Sequence, residues 1–135
     1  MKRETERLTL QLLVGAACLV PLYAGASGVL ESAAFLRGVT PPLATDLDSH
    51  FRYLSGLLLG IGLGFAACIP AIERRGKAFR LLTFVVVVGG LARLLSLLQA
   101  GSPGAGHGFG LVMELGAVPA LALWQARLER LFPTR

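Results

Sequence analysis

The chain has 135 residues, of which 54% are hydrophobic and only 16% are charged, and its formal net charge is +5. Soluble domains carry about 25% charged residues, so this composition excludes an ordinary soluble protein and predicts one integral membrane domain. The cations lie at the ends of apolar segments and form no basic stripe interleaved with aromatic residues. The positive charge therefore predicts membrane topology and not nucleic-acid binding.

Four apolar segments are long enough to cross a bilayer, which needs about 20 residues of helix. Because lipid offers no hydrogen bonds to the backbone, such segments must be helical. The predicted fold class is therefore all-α, an up-down four-helix transmembrane bundle formed by the single domain 1–135. The predicted spans are approximately 8–30, 51–72, 79–99 and 109–125.

The first span also has some features of a secretory signal peptide. Basic residues precede an apolar stretch, and Ala24-Gly25-Ala26 has the small residues of a cleavage site. Glu4 and Glu6 are unusual in the basic region of a signal peptide, however. We therefore expect this segment to be retained as a transmembrane helix.

The second span carries a stripe of small residues, Gly56, Gly60 and Gly64, on one helical face. Small residues allow helices in lipid to approach closely. The stripe predicts either packing inside the four-helix bundle, which we favour, or the interface of a homodimer.

The third and fourth spans each carry one charged residue, Arg93 and Glu114. A charge within a membrane costs about 2.5 to 3.5 kcal/mol on insertion scales and therefore usually has a partner or a function. Counted from the predicted helix ends, both residues lie about 8 to 9 Å below the same membrane surface. Since consecutive spans are antiparallel neighbours, we predict a structural ion pair between Arg93 and Glu114.

Further polar residues gather at the same predicted surface, whereas the opposite halves of the spans offer little beyond Gln11 and Thr83. Three interpretations remain open for this cluster. The first is a purely structural ion pair, and the second is a pocket for a lipid headgroup, a quinone or a small acid. The third is catalysis or proton transfer by Glu114 and His50. We predict no catalytic residue, metal site or cofactor, and the candidate ligand-binding residues are Arg52, Arg93, Glu114, His50 and Gln99.

The orientation follows from the distribution of Lys and Arg. Ten of them flank one predicted side of the membrane, whereas only Arg37 and Arg52 flank the other. The positive-inside rule then predicts that both termini are cytoplasmic, in the inner membrane of a bacterium. The ten residues are Lys2, Arg3, Arg7, Arg74, Arg75, Lys77, Arg80, Arg127, Arg130 and Arg135.

Three stretches, HFRYLSGLLLGIGL, VVVVGGLARLLSLLQAGSPG and LVMELGAVPALALWQ, resemble a family of small bacterial four-helix membrane proteins of unknown function. That family is distantly similar to the DoxX-like proteins, and the resemblance covers most of the chain. It implies a four-helix bundle with a polar cluster, and it supplies no established activity. The residues that match the family pattern are Arg52, Arg93, Gly101, Pro103 and Glu114.

The sequence thus favours a non-enzymatic membrane protein. We expect it to be an accessory subunit of a membrane complex or a binder of a small amphipathic or anionic ligand. The alternative is a DoxX-like membrane enzyme or carrier, linked to quinones, that uses Glu114 with Arg52 and Arg93. The expected partners are the lipid bilayer, a second membrane protein or a second copy of the chain, and a lipid or quinone ligand.

Overall fold

The structure, a computed structural model, describes residues 2–36 and 38–132. The described residues contain four long helices and no β-strand. Short 3₁₀ segments follow the first two helices, at Ser32–Phe35 and Ile69–Ala71. Arg37 and Arg135, which enter the topology prediction, lie outside the described residues. The helices are α1 (Lys2–Glu31), α2 (Thr45–Cys68), α3 (Gly76–Ala100) and α4 (Ala105–Leu131).

Each of the four helices is long and apolar enough to cross a membrane. This confirms the prediction of an all-helical, multi-pass membrane protein. The helices extend beyond most of the predicted limits because polar residues at their ends continue the helical hydrogen bonding. The first turn of α2, for example, carries Asp46 and Asp48, whose negative charges suit the positive end of the helix dipole.

The chain divides into two compact units. The first combines Met1–Gln11 with Pro70–Arg135, and the second is Leu12–Ile69. The first unit therefore contains α3, α4 and the start of α1, while the second contains α2 and the rest of α1. The assignment of residues 1–135 to one domain stays a prediction.

In the second unit, α1 and α2 are antiparallel and approach closely at glycines. A Cβ atom on Gly25 would lie 2.6 Å from the backbone nitrogen of Leu59, and one on Gly62 would lie 3.1 Å from Leu22 Cδ2. Gly60, which belongs to the stripe singled out in the sequence, has open space around its Cβ position among the described residues. Gly56 of the same stripe would place a Cβ atom 4.0 Å from Val29 Cγ2 on α1. Whether the stripe packs inside the bundle or forms the interface of a homodimer stays a prediction.

In the first unit, α3 and α4 form an antiparallel hairpin joined by residues 101–104. We call the end of this hairpin at residues 101–104 the loop end, and the end at Gly76 and Leu131 the open end. The core of the unit lies near the open end, where Leu10, Ile72, Phe79 and Leu128 are at most 1% exposed. The first turns of α1 thus pack against α3 and α4 at the open end of the hairpin.

The fourth helix changes its winding in the middle. Residues Met113–Ala117 form a π-helical turn, closed by the bond from the Val118 N–H to the Met113 carbonyl. Pro119 accounts for this irregularity, because it lacks an N–H for the carbonyl four residues earlier and its ring crowds the preceding turn. The π-helical turn carries Glu114 and so determines how its side chain leaves the helix.

Candidate functional site

Arg93 on α3 and Glu114 on α4 form a bidentate ion pair. Arg93 Nε donates to Glu114 Oε2 at 2.9 Å, and Arg93 Nη2 donates to Oε1 at 3.0 Å. Paired, nearly parallel bonds of this kind are the strongest and most directional that a guanidinium makes with a carboxylate. The two charges thereby neutralise each other within two helices that are long enough to span the membrane.

Two glycines make room for this pair. A Cβ atom on Gly90, one helical turn before Arg93, would lie 2.9 Å from Glu114 Cβ and 2.8 Å from Leu115 Cδ2. Gly110, one turn before Glu114, would place a Cβ atom 3.6 Å from Arg93 Cζ. Gly90 therefore allows α4 to approach α3. The guanidinium of Arg93 lies beside Gly110, where no side chain stands in its way.

The pair does not use all the hydrogen-bond donors of Arg93. The Arg93 side chain is 32% exposed and the Glu114 side chain 20%, and Nη1 has no acceptor among the described residues. Around the start of α4, Gly104, Gly106 and Gly108 leave open space. Arg93 is therefore partly exposed beside the ion pair and keeps an Nη1 without an acceptor in the described part of the chain.

Arg52, on α2 in the second unit, has a different environment. Its Nε donates to Asp48 Oδ2 at 2.9 Å, one turn earlier on the same helix. Its Nη1 donates to the backbone carbonyls of Val29 and Leu30, the latter at 3.1 Å. The last carbonyls of a helix have no intrahelical donors, so Arg52 completes the hydrogen bonding at the C-terminal end of α1.

The remaining two candidates, His50 and Gln99, are both exposed. His50 belongs to the second unit with Arg52, and Gln99 lies in the last turn of α3 in the first unit. No described residue hydrogen-bonds to either side chain. The structure thus joins Arg93 to Glu114, and the five-residue cluster stays a prediction.

Sequence reasoning missed buried polar residues near the open end of the hairpin. Gln125 is completely buried, and its Nε2 donates to the Ile72 carbonyl at 2.9 Å. Glu73 is 7% exposed, with Oε1 at 4.0 Å from Arg7 Nη1. The expectation that this half of the spans offers little beyond Gln11 and Thr83 is wrong. The signal was an amide near the end of the fourth apolar segment, which must find partners when it is buried.

Polar side chains of α4 also contact the residues at and just before the start of α3. Gln125 satisfies a carbonyl that follows the 3₁₀ segment at Ile69–Ala71. Glu129 accepts a hydrogen bond from Arg80 at 2.7 Å, and its Oε1 lies only 2.6 Å from the Cβ position of Gly76, the first residue of α3. A carboxylate at the N-terminus of a helix is favourable because it opposes the positive end of the dipole. The polar residues at the open end therefore stabilise the packing of α4 against the start of α3.

The arrangement at Arg93 is suited to binding a hydrogen-bond acceptor. In the described part of the chain, no group of three or more His, Cys, Asp or Glu side chains is placed to hold a metal ion. At Arg93 itself, the guanidinium is neutralised by Glu114 and its Nη1 can still donate hydrogen bonds to another molecule.

Comparison with known proteins identifies a family for this chain. No curated protein and no solved structure matches the chain. A family model described as Domain of unknown function (DUF4345) matches residues 9–125. This match includes Arg52, Arg93, Glu114 and most of each helix. The chain belongs to the DUF4345 family.

Proposed function

We propose that this protein is a non-enzymatic, multi-pass protein of the bacterial inner membrane that binds the polar group of a small amphipathic molecule at Arg93. One observation carries the proposal. Arg93 lies within a helix long enough to span the membrane, is paired with Glu114, is partly exposed, and still has an Nη1 without an acceptor among the described residues.

The free N–H groups favour binding over a purely structural pair. In the hydrocarbon core, each unsatisfied polar group costs several kcal/mol because no water replaces its partner. A pair with a purely structural role would be more stable if every N–H group of Arg93 had an acceptor within the protein. An oxygen atom from a ligand accepts a hydrogen bond from Nη1 and removes this cost. Ligand binding therefore stabilises the protein.

The charge balance limits the ligand class. Because Glu114 already neutralises Arg93, the pair attracts a multiply charged anion only weakly. A carbonyl oxygen or a singly charged headgroup matches the remaining donors better, and the apolar helix surfaces suit a hydrocarbon tail. We therefore favour an amphipathic lipid, a quinone-like carbonyl compound or a small lipophilic acid.

The topology of the proposal places both termini in the cytoplasm and the loop end of the hairpin outside. Its support is the Lys and Arg distribution, with ten residues on the proposed inner side. Single cysteines test it after the buried Cys18 and Cys68 are replaced by alanine. An impermeant thiol reagent should label Thr40→Cys and Gly104→Cys in intact cells and Lys77→Cys only after lysis.

Lys77 is a better inner probe than Gly76, because Gly76 has no room for a side chain beside Glu129, whereas Lys77 is exposed. The reverse labelling pattern would show that the termini are outside. It would also put the Arg93–Glu114 pair near the cytoplasmic surface.

A second candidate is an accessory subunit that covers the hairpin with a partner protein. The supporting observation is that only 11% and 6% of the residues in the most apolar stretches of α3 and α4 are buried, against 28% and 22% for α1 and α2. The hairpin therefore offers the larger free surface, either to lipid or to another transmembrane helix.

The DoxX-like enzyme or carrier has less geometric support. It requires Arg52 to act with Arg93 and Glu114, but Arg52 donates to Asp48 and to the end of α1. The shared use of two arginines is thus the weakest part of that alternative.

Native mass spectrometry after gentle extraction tests the proposal. The wild-type chain should carry a small bound mass, and Arg93→Gln should lose it while the helical content is retained. Arg52→Gln is the matched control, since it removes an arginine that we assign to the end of α1. This variant should keep the bound mass.

Two outcomes would contradict ligand binding at Arg93. If Arg93→Gln keeps the small mass, the ligand binds elsewhere. If a protein co-purifies at fixed stoichiometry and no small mass is found, the accessory-subunit candidate replaces the proposal.

A further inference from the structure

A groove lies at the open end of the hairpin, far from the Arg93–Glu114 pair. It is open to the surroundings, encloses about 430 Å³ and is lined by Glu6, Leu123, Trp124 and Arg127. Arg127 follows Glu114 by 13 positions on α4, which corresponds to about 20 Å along a helix. The groove is therefore independent of the site proposed above.

The polar edge of the groove holds one cation and one anion that are only loosely paired. Arg127 Nη2 donates to Glu6 Oε1 at 3.3 Å, and the Arg127 side chain is 68% exposed. Glu6 Oε2 is buried and has no donor among the described residues. The guanidinium thus keeps N–H groups outside this contact, and the long 3.3 Å contact neutralises the Glu6 carboxylate only partly.

The apolar part of the groove consists of Leu123 and Trp124. The Leu123 side chain is among the most exposed large hydrophobic groups of the chain, at 76%. Trp124 and Arg127 lie within the last two turns of α4, which ends at Leu131. Tryptophan at the end of a transmembrane helix is typical of the headgroup level of the membrane, so a lipid is the natural occupant of this surface.

We propose that this groove binds the headgroup of a phospholipid that carries an ammonium group. The phosphate accepts hydrogen bonds from Arg127, the ammonium donates to Glu6, and the upper part of an acyl chain lies on Leu123 and Trp124. Guanidinium–phosphate contacts are strong and geometrically well matched. An anionic headgroup without an ammonium keeps its net negative charge beside Glu6 and offers that carboxylate only neutral hydroxyl donors, which make weaker hydrogen bonds than an ammonium.

The test uses the full chain and two defined lipids, phosphatidylethanolamine and phosphatidylglycerol with identical acyl chains. Native mass spectrometry measures how much of each lipid the protein retains in micelles that contain both. The wild-type protein should retain phosphatidylethanolamine in preference to phosphatidylglycerol. Arg127→Gln should reduce this retention by about tenfold, as expected when a charged hydrogen bond is lost.

Arg130→Gln is the matched control, because it removes an exposed arginine from the same end of α4 that does not line the groove. It should leave lipid retention unchanged. Equal losses for Arg127→Gln and Arg130→Gln would mean that the lipid responds only to overall charge, and the proposal would be wrong.

Glu6→Gln separates the two halves of the headgroup. It should abolish the preference for phosphatidylethanolamine while phosphate binding to Arg127 persists, whereas Glu4→Gln at the exposed first turn of α1 should change nothing. Equal retention of both lipids by the wild-type protein would overturn the proposal. So would a Glu6→Gln variant that keeps the full preference.

Discussion

Arg52 and Arg93 occupy comparable positions and have different partners. Arg52 lies seven residues after the start of α2 at Thr45, and Arg93 lies seven residues before the end of α3 at Ala100. Arg52 finds a carboxylate on its own helix and two carbonyls at the end of α1. Arg93 finds its carboxylate on the neighbouring helix α4.

The difference shows that charge in a transmembrane helix does not by itself indicate a functional site. Arg52 completes hydrogen bonds that every helix end needs, and its role is explained by the backbone. Arg93 joins two helices through a bidentate pair with a carboxylate. Each arginine keeps one terminal nitrogen without an acceptor among the described residues, Nη2 in Arg52 and Nη1 in Arg93. The two therefore differ in what holds the guanidinium, which is the end of α1 for Arg52 and a carboxylate on another helix for Arg93.

The largest effect should come from removing one member of the pair. Glu114→Gln leaves Arg93 without its counter-charge, and we expect it to lower the free energy of unfolding by about 2 to 3 kcal/mol. A double-mutant cycle with Arg93→Gln, measured by reversible unfolding in detergent micelles, should give a coupling of about 1 kcal/mol or more.

The control for this cycle is the pair Arg80–Glu129, which also joins α3 to α4 but is more exposed, with side chains 47% and 38% accessible. Its coupling should be clearly smaller, because exposed pairs are screened. Additive effects of Arg93→Gln and Glu114→Gln would mean that the two side chains contribute independently, and the contrast with Arg52 would disappear.

A smaller effect should follow from filling the space that brings the helices together. Gly90→Ala forces a methyl group against Leu115 and Glu114, and we expect it to destabilise the hairpin by about 1 to 2 kcal/mol. The same substitution at the neighbouring Gly89, where a Cβ atom meets open space, should be neutral or slightly stabilising because alanine favours helices. Thermal unfolding of the two variants measures the difference.

If Gly89→Ala destabilises as much as Gly90→Ala, then backbone flexibility matters more than the close approach of α4. Gly90→Ala should also weaken ligand retention at Arg93, since it moves Glu114 relative to the guanidinium. Unchanged retention would show that the ligand does not depend on the geometry of the pair.

Much of the fold follows from simple physical constraints on the sequence. The four helices were predictable because length and apolarity alone decide which segments can cross a bilayer. Arg93 and Glu114 were predicted as neighbours because both are costly in lipid and lie at the same depth on consecutive helices. The hydrogen bonds between them agree with that depth argument.

Other features depend on details that the sequence pattern does not contain. The spacing of Gly56, Gly60 and Gly64 does not reveal which face of α2 meets α1, and the close contacts use Gly25 and Gly62 instead. Arg52 carries the same charge as Arg93, so its role at the end of α1 depends on three-dimensional geometry that residue counting does not provide. The π-helical turn at Met113–Ala117 follows from Pro119 only once the neighbouring packing is known.

The smallest effect should come from Arg52. Arg52→Gln removes hydrogen bonds to the carbonyls of Val29 and Leu30, and we expect a loss of about 1 kcal/mol in the free energy of unfolding. Because these bonds close the end of α1, hydrogen exchange should become faster for amides in its last turn. Exchange in the α3–α4 hairpin should not change.

Asp48→Asn distinguishes the two kinds of partner that Arg52 has. The carboxylate of Asp48 lies one turn earlier on the same exposed helix end, where ion pairs contribute little. This variant should therefore be milder than Arg52→Gln and should leave the exchange at the end of α1 nearly unchanged. If instead both variants accelerate that exchange equally, Asp48 is needed to aim Arg52 at the carbonyls. Arg52 would then depend on its carboxylate as Arg93 depends on Glu114, and the two arginines would differ only in whether that carboxylate lies on the same helix or on the neighbouring one.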